Sequence, residues 1–303
     1  MKRPAHIAAF VVLAALAVLA TAVRAEDAGN AGLVRRLDPL PVTIRYENRY
    51  GRVADKVSEI CRAEIPRIAA ELGLTDIAPI EIVVTSDARG YDKSLQEGLP
   101  TWGIAFAILE EQRILVDVKK AARAYNSLEE VVPHELSHLL LFQRVPRVRF
   151  PLWFLEGLAQ WQAREWSMVD AWTLMNSVWD GSAPPLRDMT HAYPADETRA
   201  QAAYRVSYAA FTELFSAGGF ERLPEFLGEV ARRRSFETAF TDYWGFTLSD
   251  YGSYFQDDLE RRYHSKLFFL QEGPLLGFAA VLFLAVIVRH LVRSRRKFRQ
   301  LED

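Results

Sequence analysis

His134-Glu135-Leu136-Ser137-His138, separated by seventeen residues from Glu156 in Trp153-Phe154-Leu155-Glu156-Gly157, is the stretch on which the reading of this 303-residue chain turns. An α-helix completes a turn in about 3.6 residues, so positions i and i+4 share one face. A helical pentapeptide therefore sets the imidazoles of His134 and His138 side by side, with Glu135 flanking them. Two imidazoles at that spacing can hold one divalent ion, and the intervening glutamate stands beside the water that such an ion activates. A catalytic zinc site keeps three protein ligands and one open position. Glu156, on a second helical pattern, is the candidate third ligand.

The flanks strengthen this reading. Val131, Val132, Leu136, Leu139, Leu140, Leu141 and Phe142 surround the motif and predict a buried helix. Two histidines and a glutamate are costly to bury in such a segment unless something binds them. The competing reading is a core helix whose histidines are merely hydrogen-bonded, and it leaves Glu156 and its apolar flank unexplained.

His134-Glu135-Leu136-Ser137-His138 together with Pro151-Leu152-Trp153-Phe154-Leu155-Glu156-Gly157-Leu158-Ala159 resembles the gluzincin metallopeptidases. It most resembles the bacterial peptidase MA-like domains, and more distantly the aminopeptidase N type with its WxNEGxA helix. The similarity runs from about Ile44 to Tyr263, and its specific part is Val131 to Gly219. The resemblance implies one zinc ion per chain, held by His134, His138 and Glu156, with Glu135 as general base. One departure is visible. Some members carry an acid four residues after the glutamate ligand, to orient a ligand histidine, and here that position is Gln160. An amide can accept an imidazole N–H but brings no charge to raise the ligand's basicity.

Hydrolysis by such a centre also needs a donor for the developing oxyanion. The candidates are Tyr204, Tyr208 and His191. The segment from Tyr204 to Ala217 resembles the tyrosine-bearing helix that follows the zinc helices in gluzincins, and by that match Tyr204 is the expected donor. Tyr204 and Tyr208 also stand four apart, the spacing of a packed aromatic pair. The clan's aminopeptidases bind a substrate amino group through a GxMEN strand. The corresponding stretch, Trp102-Gly103-Ile104-Ala105-Phe106-Ala107, carries no carboxylate, which favours an endopeptidase. Gly103 to Ile108 is the candidate edge strand for extended substrate backbone. The only cysteine, Cys61, has no histidine near it in sequence and reads as a half-buried structural thiol.

The chain is 50% hydrophobic with a formal net charge of −2 and no basic stripe in its middle, which argues against a nucleic-acid binder. Residues 1–25 read as a signal peptide: Lys2 and Arg3, then the apolar run Ile7 to Ala20, then small-residue cleavage sites. Residues 26–40 read as a leader, 41–266 as the metallopeptidase-like domain, and 267–292 as a transmembrane helix centred on the uncharged run Gly273 to Val288. Residues 293–303 form a basic tail, and its arginines and lysine mark a cytoplasmic side. The expected topology is a single-pass bacterial inner-membrane protein with its domain in the periplasm and its C-terminus inside. The partners expected are the membrane and a peptide or protein substrate.

The expected fold is α+β of zincin type, a small mixed sheet beside the zinc helices followed by a helical C-terminal half. Strands are predicted at Val42–Glu47 and Ile80–Thr85, and a hairpin at Gly103–Leu109 and Arg113–Val118. A helix is predicted over Asp55–Leu72, kinked or split at Pro66. From Leu152 onward the pattern is helical, with a loop at Ala183–Arg187, a solvated helix end at Arg232-Arg233-Arg234 and core aromatics from Phe236 to Tyr263. Two further readings stay open: a catalytically silent module that binds peptide or an envelope protein in the cleft, and a structural membrane protein with an accidental motif.

Overall fold

β-branched and apolar residues on either side of a long helix build a five-stranded mixed sheet. The computed structural model describes residues 32–88, 104–121, 127–191, 193, 197–216, 218–264 and 281–283. Strand β1 (Leu33–Arg36) pairs antiparallel with β2 (Val42–Tyr46), and β2 pairs parallel with β3 (Ile80–Thr85). Strands β4 (Ala105–Ile108) and β5 (Arg113–Asp117) form the predicted hairpin, and β5 runs parallel to β3. The order across the sheet is β1-β2-β3-β5-β4, so β4 lies at an edge. Ile82, Val83, Val84, Ile114, Leu115 and Val116 are all buried, as expected of central strands covered on both faces.

Helix α1 (Gly51–Leu72) makes the crossover that the parallel pair β2–β3 requires. It begins a turn earlier than predicted and is not split at Pro66. That proline lies on the exposed side of the helix, where the backbone acceptor it leaves free can reach water. Gly73, at φ 65°, ends the helix in the left-handed conformation. Cys61 is fully rather than half buried, and burial pushes its thiol up to about 12, so it is inert.

Helix α2 (Leu128–Arg144) opens with the capping box Ser127–Glu130. Helix α3 (Leu152–Ala163) buries every residue except Trp161. Then follow α4 (Met168–Trp179), α5 (Glu197–Ser216), α6 (Leu223–Arg233), α7 (Phe236–Trp244) and α8 (Leu248–His264). The predicted loop at Ala183–Arg187 leads into a 3-10 turn at Leu186–Met189, and α6 ends within the arginine cluster as expected. Of the C-terminal aromatics, Phe236, Phe240, Tyr251 and Phe255 are buried, whereas Phe246 and Tyr254 are exposed.

Two contacts seat α3, the central helix. The ring of Phe154 is surrounded by Phe211, Phe226 and Phe236 at centroid distances of 5.4, 5.9 and 4.9 Å. On another side α3 touches the α5 backbone at Gly157. A Cβ there would lie 2.3 Å from the Ser207 carbonyl oxygen and 2.6 Å from Phe211 Cβ. Only glycine lets the two helices approach so closely, and the next residue back is Glu156.

The chain divides into two compact units, Met1–Gln256 and Asp257–Asp303. Among the described residues no helix is long and apolar enough to cross a membrane. The expected signal peptide and basic tail lie outside the described residues. So do the expected transmembrane helix apart from 281–283, the leader before residue 32, and Trp102-Gly103 of the candidate edge strand.

Candidate metal centre

Helical spacing and the burial of α3 bring three side chains to one point. His134 and His138, one turn apart on α2, have ring centroids 4.9 Å apart. Glu156 reaches them from α3, with Oε2 3.3 Å from His134 Nε2 and Oε1 3.8 Å from His138 Nε2. One potential ligand atom from each residue lies within 4.8 Å of the others. A tetrahedral zinc ion with bonds of about 2.1 Å needs donors roughly 3.4 Å apart. The two nitrogens and the carboxylate are donor types that a divalent metal ion takes, and the 3.3 Å separation of His134 Nε2 and Glu156 Oε2 is close to that spacing, that of His138 Nε2 and Glu156 Oε1 being wider at 3.8 Å. Glu156 is buried, and a carboxylate in that position is costly without a cation facing it.

The electrostatics follow from burial. Burial pushes the Glu135 carboxyl up to about 7, with His134 opposing the shift and Glu156 adding to it. Burial pushes His138 down to about 4. Burial also disfavours charge on His134, but Glu165 and Glu156 beside it hold the imidazole well above its ordinary value. Burial works to raise Glu156, yet the hydrogen bond and charge of the histidines keep it below the usual carboxylate value.

Glu135 is fixed by the sheet. Its Oε2 accepts a 2.8 Å hydrogen bond from the Ala107 N–H of edge strand β4. Ile104 uses its carbonyl to pair with Asp117 of β5, so the alternating Ala105 and Ala107 turn their backbone groups to the free edge. The candidate strand Gly103–Ile108 therefore has its described part directly beside the motif.

Tyr204 on α5 packs edge-on against Tyr193, with centroids 4.8 Å apart. Burial raises its hydroxyl pKa well above the ordinary value, and Glu156, Glu135 and Glu165 raise it further, so it remains a proton donor that feels all three carboxylates. Tyr208 stacks on Trp166 instead, at 4.3 Å, and burial alone raises it. His191 is exposed. Tyr193 was not foreseen. It is buried and bonded through its hydroxyl to Ser207 Oγ at 2.6 Å, and its sequence neighbourhood of Pro and Ala reads only as a connection.

Gln160 does not meet a histidine. Its Nε2 donates to the carbonyls of Glu156 and Tyr204, at 3.0 and 2.9 Å, and so ties α3 to α5. The carboxylate that meets His134 comes from Glu165, whose Oε1 lies 2.9 Å from His134 Nδ1. Sequence reading missed it because Glu165 lies past the end of α3, at a turn that no glycine marks.

Comparison of the chain with protein-family models and with curated proteins finds no match.

Proposed function

We propose that this protein is a membrane-tethered, zinc-dependent endopeptidase of gluzincin type that hydrolyses peptide bonds of extracytoplasmic proteins or peptides. The observation that carries the proposal is the convergence of His134, His138 and Glu156, with Glu135 beside them on α2 and bonded to the edge strand β4. His134, His138 and Glu156 would hold the metal, and the nitrogen-rich donor set with one carboxylate favours zinc. A zinc ion so held supplies Lewis acidity and lowers the pKa of a water toward neutrality.

The chain's own groups do the rest. Glu135, buried and raised to about 7, is poised to take a proton from water and return it to the leaving amine. Tyr204 keeps its proton and donates it as a hydrogen bond to the oxyanion. The outer edge of β4, unpaired among the described residues, offers the Ala105 N–H and the carbonyls of Ala105 and Ala107 to an extended peptide, the Ala107 N–H being held by Glu135. No carboxylate on β4 is available to fix a substrate's amino terminus, in keeping with cleavage inside a chain.

Elemental analysis of the full chain, purified without chelators, tests the metal, and Glu135→Gln tests the chemistry. About one zinc per chain is expected in the wild type. Glu135→Gln is expected to retain the zinc and to lose proteolysis by about 100-fold or more. No zinc in the wild type would sink the proposal. Full proteolysis by Glu135→Gln would remove the general-base role.

A further inference from the structure

We infer that Glu165 is the positioning residue of the metal centre, supplying from beyond the end of α3 the carboxylate that is missing at Gln160. The inference rests on the metal reading above. An imidazole that donates its Nδ1–H to a carboxylate is fixed in tautomer and ring plane, and presents Nε2 as a more basic lone pair. His134 is placed in that way. Its Nδ1 lies 2.9 Å from Glu165 Oε1, and its Nε2 is the atom that faces Glu156 at 3.3 Å. The side chains of His134 and Glu165 are 15% and 18% exposed, so solvent screens the contact weakly.

The local backbone explains how a residue nine positions after Glu156 returns to α2. Helix α3 ends in a Schellman motif. The Glu165 N–H bonds the Gln160 carbonyl at 3.1 Å and the Arg164 N–H bonds that of Trp161 at 3.2 Å. Arg164 takes the left-handed conformation at φ 58°, which glycine ordinarily fills. This turn reverses the chain and brings Glu165 alongside a residue thirty-one positions earlier. The residues that follow are pinned to α5. Trp166 stacks on Tyr208 with planes 8° apart, and Asp170 pairs with Arg205 at 2.9 Å. Glu165 is thus held from both sides, on the rigid end of one helix and the anchored start of the next. Gln160, four residues after Glu156, commits its Nε2 to two backbone carbonyls and does not duplicate the role.

The test is zinc affinity by chelator competition on the full chain, with the visible spectrum of the cobalt-loaded protein as a readout of ligand geometry. Glu165→Ala is expected to weaken zinc binding by about 10- to 100-fold and to alter the cobalt spectrum. Glu165→Gln, whose amide oxygen still accepts the N–H but carries no charge, is expected to fall between the alanine variant and the wild type. Affinity within about twofold of wild type in Glu165→Ala, with an unchanged cobalt spectrum, would overturn the assignment. Should the alanine variant fail to fold, Glu165→Gln decides alone, and wild-type affinity there overturns it. A wild type that binds neither zinc nor cobalt removes the metal reading itself, and this inference with it.

Discussion

Helices α2 and α3 share two buried polar clusters built on opposite plans. In the first, Ser137 Oγ donates to Gln162 Oε1 at 2.6 Å, and Gln162 Nε2 donates to Glu71 Oε2 at 3.1 Å. Arg67 closes the circuit by donating to Glu71 Oε1 at 2.6 Å and to the Gln162 carbonyl. Donors end on acceptors, and the charges are paired. In the second, His134 is paired with Glu156 at 3.3 Å and with Glu165 at 2.9 Å, but His138 Nε2 stands 3.8 Å from Glu156 Oε1, beyond hydrogen-bond reach, and one potential ligand atom from each of His134, His138 and Glu156 lies within 4.8 Å of the others. A closed network holds helices in register. One left open at His138 has donor atoms to spare, and the proposal above assigns them to a metal ion.

Replacing one node in the open cluster should give the largest effect. Glu156→Leu is expected to take bound metal from about one per chain to none. With chelator present, its melting temperature should fall only slightly, because His134 loses Glu156 but keeps Glu165 as a partner. Elemental analysis and thermal melts would check both halves. A marked loss of stability in the chelated variant would mean that Glu156 is a structural partner of the histidines, and the contrast between the clusters would fail.

The two clusters also differ in how far they could be read in advance. The open one follows from local rules: i, i+4 spacing put His134 and His138 on one face, and the apolar run around Glu156 marked a second buried helix. The strands at Val42 and Ile80 and the hairpin at Ala105–Asp117 were legible in the same way, by β-branched runs and turn residues. What was not legible depended on tertiary geometry. Glu165 reaches His134 only because Arg164, a residue with a side chain, adopts a left-handed turn. Ser137, Gln162, Glu71 and Arg67 lie on three different helices, and no pattern in the sequence joins them. Pro66 does not split its helix, since an exposed proline leaves its free carbonyl to water and the helix continues.

Gly157→Ala probes what holds both clusters at once, because Gly157 sets α3 against α5 between them. A methyl group 2.3 Å from the Ser207 oxygen forces the helices apart, at a cost of about 1–3 kcal/mol. Denaturant unfolding should show that loss, and the shift of α3 should also weaken metal binding through the adjacent Glu156. Gln162→Ala sharpens the contrast from the other side. It leaves the buried Ser137 hydroxyl without its acceptor and removes one of the donors to Glu71, which keeps Arg67, and should cost about 1–3 kcal/mol. Metal content should stay near one per chain. Loss of metal in this variant would show that the two clusters are one.

The smallest effect concerns a pair of a third kind, at the sheet surface. Glu81 on β3 accepts hydrogen bonds from Arg45 and from Arg113 Nε, the latter at 2.6 Å. Burial works to raise its pKa, but the two guanidinium groups prevail and hold it below the reference 4.5. A folded-state value below the unfolded one means that the stabilisation is complete above pH 4.5 and is lost as pH falls through the folded-state value. Glu81→Gln should therefore flatten this part of the acid limb of the stability profile. At neutral pH it should cost less than about 1 kcal/mol, because the carboxylate is partly exposed and solvent screens the pair. Added salt should shrink the difference further. Equilibrium unfolding of wild type and variant between pH 3 and 7 measures it. A loss as large as that of Gln162→Ala would show that burial is not what separates these charge networks.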